Sequence, residues 1–254
     1  MISAVLITKD AERHLPQVLD ALAWCDEVLV LDSGSRDATC AIAAAHGARV
    51  EHQEFLGFGP QKRRACALAR HDWILSIDAD EVLEPACVAA IRALDLRAAD
   101  PRDAWAIRRR TFVGAQEIRF GVWNPDWPIR LFHRGHSGFN EASVHESVVV
   151  AGRLHRLPGS MRHHSFADLG DLFKPGYARL KAARFRASGR RAGTCLLLLR
   201  FGWAFSRSFL LKQGFRDGPA GVVVAVSAGL DAVLGLALAG APDQGPTQSG
   251  SRPP

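Results

Sequence analysis

The sequence has few cysteines, and none of them is arranged as a metal-binding pair. The five cysteines are scattered over 254 residues, odd in number and never spaced as C-x-x-C. This pattern argues against a disulfide framework and against a cysteine-ligated zinc site. We therefore expect a reduced, cytosolic chain. The opening residues, Met-Ile-Ser-Ala-Val-Leu-Ile-Thr, lack the basic start and long apolar run of a signal peptide and predict a first strand instead.

Two common nucleotide-binding signatures are also missing from the sequence. No G-x-G-x-x-G follows the first predicted strand, and the pattern G-x-x-x-x-G-K does not occur. The first absence argues against an NAD-binding domain, and the second argues against a phosphate-binding loop of the NTPase type.

Acidic residues are missing from one long stretch, the segment 174–216, which holds eleven Lys and Arg and no Asp or Glu. The whole chain carries +6, and removing these eleven charges leaves −5 for the remaining residues. The segment also contains apolar runs with Trp203 and several Phe and Leu. Basic helices of this composition are typical of membrane interfaces that carry anionic lipid. Nothing resembles a nucleic-acid-binding module, so we expect an anionic membrane surface as partner and no nucleic acid.

The first hundred residues alternate apolar runs with helical patterns. Strands are predicted at Ser3–Thr8, Glu27–Asp32, Ala48–His52 and Asp72–Asp78, and helices at His14–Ala23, up to His46, from Pro60 to Arg70 and from Pro85 to about Leu94. Repeated strand–helix units predict an α/β fold with a mainly parallel sheet and helices on both faces. Later strands at Ala104–Val113, Pro128–Arg134 and Ser147–Val150 predict a mixed or antiparallel extension of this sheet.

The chain from Asp168 onward is predicted to be helical. Helices are expected at Leu169–Ser188, Cys195–Lys212 and Ala220–Leu238, followed by a disordered tail from residue 241. We therefore expect one catalytic domain over 1–167, a basic amphipathic membrane-association segment over 168–240, and the tail 241–254. The apolar stretch 219–241 has about the length of a membrane span, but it carries Asp231 in its middle. A helix that docks or lies at the interface is favoured over a true span.

Two of the predicted strands end in acidic groups. One ends at Asp32, before Ser33-Gly34-Ser35, and the other ends in Asp78-Ala79-Asp80-Glu81. Ligands of open parallel sheets bind beyond the carboxyl ends of the strands. Carboxylates at i and i+2 on an extended strip point to the same side, which suits a divalent cation bound to phosphates. Taken singly, the first motif could be a capped loop and the second an acidic helix entry. Together, in this order, they favour a nucleotide site.

These residues resemble a known family. The motifs are Val28-Leu-Val-Leu-Asp32-Ser-Gly-Ser-x-Asp-x-Thr39, Gly57-x-Gly-Pro-Gln-Lys62, and Asp72-Trp-x-Leu-x-Ile-Asp78-Ala-Asp80-Glu81. They are similar to those of family 2 glycosyltransferases with the GT-A fold, in particular the bacterial lipopolysaccharide inner-core β-1,4-glucosyltransferases. Asn124-Pro-Asp126, Arg130-Leu-Phe132, Val144-His-Glu146 and Gly214-Phe-x-Asp-Gly218 match the same subgroup, so the resemblance spans about residues 2–235.

The resemblance implies an inverting, single-displacement transfer from a nucleotide-diphosphate sugar, with UDP-glucose as the expected donor and Mg²⁺ or Mn²⁺ as the cofactor. The acceptor would be a lipopolysaccharide core or another glycolipid, and the enzyme would work in the cytoplasm, peripherally on the inner membrane. The matched positions give the donor site Asp32 for the uracil, Asp78 near the ribose or metal, Asp80 for the metal, and Thr8, Asp10, Glu12 and Gly34 in the nucleotide-contacting loops. Lys62 would face the diphosphate, and Arg130 a phosphate. Asp10 stands where Asn is common in the family, and Arg63 stands where Asn is usual.

The chemistry makes its own demands on the site. A metal ion stabilises the charge that develops on the leaving diphosphate, and a base must take the proton of the acceptor hydroxyl. Glu146 is the candidate base. The alternative interpretation is that His145 and Glu146 form a surface ion pair without a catalytic role. His163 and His164 could ligate a metal or serve as core or capping residues, and Arg130 could be a solvated strand-edge arginine.

Three functions remain open from the sequence. Besides transfer to a lipopolysaccharide core, they are transfer to another lipid-linked or polysaccharide acceptor and nucleotide-sugar binding without catalysis.

Overall fold

The computed structural model describes residues 1–140, 146–173, 176–189 and 192–240. The interpretations given above for Val144, His145 and the tail from residue 241 lie outside these residues. Contacts divide the chain into two compact units, one made of Met1–Ile118 with Trp123–Ala167 and the other of Arg119–Val122 with the chain from Asp168 onward.

The first unit is built on a large mixed sheet flanked by helices. Its elements are β1 (Ile2–Thr8), α1 (Leu15–Leu22), β2 (Glu27–Asp32), α2 (Thr39–Ala45), β3 (Arg49–His52), α3 (Phe58–Leu68), β4 (Trp73–Ser76), β5 (Glu81–Leu83), α4 (Pro85–Arg92), β6 (Ala104–Val113), β7 (Gln116–Ile118), β8 (Ile129–His133), β9 (Gly138–Phe139), β10 (Val148–Val149) and β11 (Leu154–Phe166). The sheet order is β3-β2-β1-β4-β8-β6-β11-β5, with β7 paired to β6 and a separate β9–β10 ribbon.

The parallel half of this sheet is the one that the sequence predicts. Strands β3, β2, β1 and β4 run parallel, and the register sets Thr8 of β1 opposite Asp32 of β2. Strand β8 runs antiparallel to β4 and to β6, which gives the mixed extension. The expectation that Ser147–Val150 extends this sheet is wrong, since β10 pairs with β9 in a separate ribbon. Apolar side chains of the strands are buried on both faces of this half, in two clusters, one with α1 and α4 and the other with α3. The fold is α/β with a mostly parallel sheet flanked by helices, as predicted.

Four strands are absent from the prediction, β5, β7, β9 and β11. Residues Glu81–Leu83 form a short strand antiparallel to β11 at the edge of the sheet. Strand β11 is 13 residues long and pairs with β6, although it contains Pro158 and Gly159, which favour a turn. Its register shifts between Arg156 and Ser160, which accommodates both residues. Gly159 has φ +83°, and a Cβ there would lie 2.5 Å from the Cys87 nitrogen of α4, so only glycine fits.

The second unit is helical. It contains a 3₁₀ helix (Leu169–Phe173), α5 (Gly176–Ala187), α6 (Thr194–Ser206), a π-helical turn (Arg207–Leu211), a second 3₁₀ helix (Gly214–Asp217) and α7 (Pro219–Gly240). In place of the predicted helix Leu169–Ser188, the described residues form the 3₁₀ helix and α5, and the predicted helix Cys195–Lys212 is α-helical to Ser206 and then π-helical. By length and composition, Thr194–Leu211 and Pro219–Gly240 are each able to cross a membrane.

Candidate active site

Asp32 lies at the carboxyl end of β2 and organises the loop that follows. Its side chain is 0% exposed. One carboxylate oxygen accepts the Gly34 and Ser35 backbone N–H groups at 2.8 Å, and the other accepts the Thr8 hydroxyl at 2.9 Å and the Ser35 hydroxyl at 2.5 Å. Burial opposes ionisation, but these hydrogen bonds outweigh it and hold the pKa of the Asp32 carboxyl below its ordinary value. Gly34 has φ +84°, a conformation that favours glycine.

Asp10 and Glu12 join the loop after β1 to the loop after β2. The Asp10 carboxylate accepts the Arg36 backbone N–H at 2.7 Å, and the Glu12 carboxylate accepts the Ala38 N–H at 2.9 Å. Both side chains are exposed. The structure therefore brings the predicted nucleotide-contacting residues Thr8, Asp10, Glu12, Asp32 and Gly34 into one pair of cross-linked loops.

Asp78 and Asp80 lie in the connection between β4 and β5, not on a strand. Strand β4 ends at Ser76, two residues earlier than predicted, and a turn at Ala79 and Asp80 follows. The expectation that the two carboxylates share one side of an extended strip is therefore wrong. The turn comes early because the chain must pass from β4 to β5, past the intervening strands β8, β6 and β11.

Arginines of these intervening strands meet the acidic connection, and together they form an alternating chain of ion pairs. Its members, in order, are Glu146, Lys62, Asp78, Arg130, Glu81, Arg109 and Asp126. Successive contacts measure 2.7, 2.7, 2.7, 2.5, 3.1 and 2.6 Å. We call these seven residues the charge chain.

The buried charges of the charge chain support one another. Arg130 is 4% exposed and Glu81 is 0% exposed, so each depends on its partners rather than on water. Burial disfavours ionised Asp78, but Arg130 and Lys62 more than compensate and hold the pKa of its carboxyl well below the ordinary value. Burial also opposes ionised Glu81, and Arg130 again keeps the pKa of this carboxyl low.

Lys62 has contacts that differ from those expected of it. Its side chain is 6% exposed, and its ammonium group lies 2.7 Å from both Asp78 and Glu146 and over the Phe139 ring. It therefore engages two carboxylates instead of projecting into open space for a diphosphate. Arg130 likewise is not a solvated strand-edge arginine, since it is buried between Asp78 and Glu81.

The residue beside Lys62 connects the two halves of the site. Gln61 is fully buried at the start of α3, and its amide group donates to the Ser33 hydroxyl at 3.1 Å in the loop after β2. Adjacent residues of one helix thus reach the loop after β2 and the acidic connection between β4 and β5. The sequence motif contains this Gln-Lys pair, but the motif alone does not predict that the pair bridges the site.

Asp80 lies beside a group of histidines. The His163 ring nitrogen is 3.5 Å from an Asp80 oxygen, and the His164 backbone N–H donates to the Asp80 carbonyl. The His164 ring stacks on His14 at 5.0 Å and on Phe112 at 5.3 Å. Burial and the neighbouring His14 lower the pKa of His164 to about 4, so His164 is neutral near pH 7.

A different group in the described chain has metal-ligand geometry. Single ligand atoms of Asp32, Cys40 and His52 lie within 4.8 Å of one another. A carboxylate has about four acceptor positions. The Asp32 carboxylate already accepts four hydrogen bonds, two of them from the backbone. A metal ion there would have to displace the bonds that order the loop.

Comparison with known families decides the class of the protein. The family model described as Glycosyl transferase family 2 matches residues 3–142, more than half of the chain. The chain belongs to glycosyltransferase family 2. It is a glycosyltransferase with the nucleotide-sugar-transferase fold, which confirms the family, the fold class and the enzyme class that the motifs predicted.

Proteins similar to this chain include a glycosyltransferase of lipopolysaccharide core biosynthesis. The lipopolysaccharide core biosynthesis glycosyltransferase LpsC of Rhizobium meliloti (strain 1021) is 28% identical, over 92% of this chain and 89% of that protein. An uncharacterized glycosyltransferase of Rickettsia bellii (strain RML369-C) is 26% identical, over 87% of this chain and 80% of its own length.

Two solved structures are similar over a shorter stretch. Glucosyl-3-phosphoglycerate synthase from Mycobacterium tuberculosis, in complex with Mn²⁺ and UDP, is 28% identical over 45% of this chain and 44% of that chain, with a TM-score of 0.34. Mannosyl-3-phosphoglycerate synthase from Rubrobacter xylanophilus is 25% identical over 44% of this chain and 40% of that chain, with a TM-score of 0.36. The match spans less than half the length of either synthase.

Proposed function

We propose that this family 2 enzyme transfers a sugar, glucose as the first choice, from a UDP donor to an acceptor in the lipopolysaccharide inner core. The similarity to a lipopolysaccharide core glycosyltransferase along nearly the whole chain supports this acceptor class. The cross-linked loops after β1 and β2 would hold the nucleotide, and Asp32 would order these loops through its hydrogen bonds.

The observation that carries the proposal is the position of Glu146. Although 68 residues separate it from Asp78 in sequence, both carboxylates contact the same Lys62 ammonium group, each at 2.7 Å. The Glu146 side chain is 16% exposed, so it is partly shielded and yet open to an acceptor. A carboxylate at the edge of a donor site is suited to be a general base.

The proposed reaction is a single displacement with inversion. The acceptor hydroxyl oxygen forms a bond to the anomeric carbon while the bond from that carbon to the diphosphate oxygen breaks. The hydroxyl proton passes to Glu146, and UDP leaves with the bonding electron pair. Lys62 orients Glu146 for this step, and it fixes Asp78 on the donor side.

A divalent cation, Mg²⁺ or Mn²⁺, fits beside the charge chain. Together with Asp80, these ion-paired residues comprise five carboxylates against three permanent cations, a surplus of two negative charges. Asp80 is 34% exposed and offers the hard oxygen ligand that such ions prefer. When bound, the ion supplies Lewis-acid stabilisation of the leaving diphosphate.

The second unit supports a peripheral location on the inner membrane. Two of its helical stretches are apolar enough for membrane contact, and basic residues accompany them. We propose that the enzyme works at this anionic surface, where a glycolipid acceptor is held.

Replacement of Glu146 tests the function directly. Glu146→Gln should bind UDP-glucose with an unchanged dissociation constant in calorimetry. Because the base is lost, kcat for transfer to a lipopolysaccharide core acceptor should fall by about 10²–10⁴-fold.

Glu117→Gln is a matched control for this experiment. Glu117 is 14% exposed and pairs with Arg110 at 2.8 Å, outside the charge chain, so its replacement should leave kcat nearly unchanged. Near-normal kcat in Glu146→Gln would move the base elsewhere, with Asp126 and His163 as the next candidates. Failure of the wild-type chain to transfer from UDP-glucose to any core acceptor would refute the proposed substrate pair.

A further inference from the structure

The outer side of α6 and of the π-helical turn carries large apolar side chains. Leu196, Leu199 and Trp203 have the spacing i, i+3, i+7 and share one face of the helix, and Leu210 follows in the π-helical turn. Their exposed fractions are 48, 72, 64 and 58%. An amphipathic helix normally turns such a stripe toward the core, so this stripe needs an apolar partner outside the unit.

The opposite side of α6 is already packed within the second unit. A Cβ placed on Gly229 of α7 would lie 2.6 Å from the Phe201 ring, so the two helices are in close contact there. Phe205 stacks on Phe209 at 5.5 Å, and Ser208 is fully buried. The unit therefore packs one side of α6 against α7, although every residue of α6 is at least partly exposed, and it leaves the stripe of Leu196, Leu199 and Trp203 uncovered.

The charges around the uncovered stripe point to the chemistry of its partner. Arg200, Arg207, Lys212 and Arg216 are exposed, and no acidic residue occurs between 174 and 216. Each Lys or Arg near an anionic lipid surface adds about a fivefold gain in binding. A second copy of the chain would bring the same positive charges to the interface and be repelled.

The arrangement of charge favours a helix that lies in the surface over one that crosses the bilayer. Arg200 and Arg207 both lie inside the apolar window Thr194–Leu211, and charged side chains near a bilayer centre are costly. In α7, Asp231 pairs with Lys181 of α5 at 2.6 Å, and Gly235 packs against Phe185. Helix α7 thus has partners within the unit along its length.

We infer that the outer face of α6 and the π-helical turn lies flat in the headgroup region of an anionic leaflet. Leu199, Trp203 and Leu210 reach the acyl boundary, the cations beside them contact lipid phosphates, and α7 stays within the protein. This inference rests on the proposed function at a membrane surface. It assigns the contact with the membrane to one face of α6 and the π-helical turn.

Vesicle flotation with the full-length chain tests this assignment. The wild-type chain should bind vesicles of phosphatidylcholine with added phosphatidylglycerol, and bind phosphatidylcholine vesicles far more weakly. Leu199→Ser/Trp203→Ser/Leu210→Ser should lower the partition coefficient by at least about tenfold, because apolar area is lost. Arg200→Gln/Arg207→Gln/Lys212→Gln should lower it on the order of a hundredfold, on anionic vesicles only.

A matched triple variant controls for general loss of apolar surface. Val149, Leu154 and Val222 are exposed to 62, 54 and 41% and lie outside α6. Val149→Ser/Leu154→Ser/Val222→Ser should bind vesicles as the wild-type chain does. Nitroxide lipids labelled near the headgroup should quench the Trp203 contribution to the tryptophan fluorescence, which is the part of the signal that Trp203→Phe removes. Lipids labelled at the acyl terminus should not quench this part.

Each remaining outcome overturns the inference. Unchanged vesicle binding by the α6 apolar triple variant would place the contact elsewhere. Strong quenching by the deep label would indicate a span. A change from dimer to monomer in that variant would make the face a contact between copies of the chain. Calorimetry with UDP on the same variant separates this test from the proposed function, since donor affinity should stay unchanged whatever the membrane result.

Discussion

At the scale of single residues, Lys62 is the cation of the charge chain that links Glu146 to Asp78. Lys62→Met should destabilise the protein by up to about 3–5 kcal/mol, because breaking a buried ion pair leaves uncompensated charge. Adding Glu146→Gln to this variant should restore part of the loss, since one of the two orphaned carboxylates is removed. Urea unfolding followed by circular dichroism measures both effects. Arg64→Met, an exposed cation on the same helix, is the control. An unchanged urea midpoint in Lys62→Met would contradict the structural role.

Asp80 is the residue on which the proposed cation depends. Asp80→Asn should abolish sugar transfer and leave the circular dichroism spectrum unchanged, because the side chain is partly exposed and its loss creates no cavity. EDTA should inactivate the wild-type enzyme, and Mn²⁺ or Mg²⁺ should restore it. Asp100→Asn, which removes an exposed ion pair with Arg102, should have no effect on transfer. A full transfer rate in EDTA would mean that the reaction needs no metal.

At the scale of elements, the loops after β1 and β2 act as one unit through Asp32. Asp32→Ala should raise the UDP dissociation constant at least about tenfold, because four buried hydrogen bonds that order these loops are lost, each contributing about 1 kcal/mol. Calorimetry with UDP measures the change. Asp26→Ala is the control. Asp26 lies near the opposite end of β2, where it accepts the Ile2 N–H, and this variant should bind UDP normally. Equal affinity of Asp32→Ala and the wild-type chain would show that the loop order imposed by Asp32 does not contribute to UDP binding.

The elements also show which parts of the fold a sequence can predict. Strands β1, β2 and β4 are short apolar runs buried on both faces, so composition reveals them directly. Strand β11 contains Pro158-Gly159, and its local signal is that of a turn. Its pairing with β6 and with β5, together with the close packing on Cys87, makes it a strand. In the site, the motifs predict Asp78, Lys62 and Glu146 as site residues, but they do not predict that Lys62 contacts both carboxylates. The sequence does not predict that Glu81, Arg109 and Asp126 are linked by ion pairs, because pairing between distant elements leaves no local pattern in the sequence.

At the scale of the whole molecule, buried carboxylates make stability depend on pH. Glu27 lies at the start of β2 and contacts the Ser3 hydroxyl, the Arg70 N–H and Arg49. Burial opposes its ionisation, but these contacts hold the pKa of its carboxyl below the ordinary value. The pKa values of Asp32, Asp78 and Glu81 are lowered as well. Such groups stabilise the fold above their unfolded pKa of about 4, and this contribution is lost as the pH falls through the folded values.

The acid sensitivity has a specific signature at Glu27. Glu27→Gln should unfold at a lower urea concentration than the wild-type chain at about pH 7, and the difference should shrink as the pH falls below about 4. Urea titrations over this range provide the measurement. A difference that stays constant with pH would show that the carboxyl's charge plays no part.

The charge chain also bears on how this site is inherited. Every interior member is shared by two neighbours of opposite sign, so a substitution at one position changes what is acceptable at the next. Single substitutions in the charge chain are therefore disfavoured. Replacements should occur as coordinated pairs, for example at positions 62 and 146 together. An engineer who wishes to transplant the proposed catalytic carboxylate into another family member would need to move Lys62, Arg130 and Arg109 with it as one block.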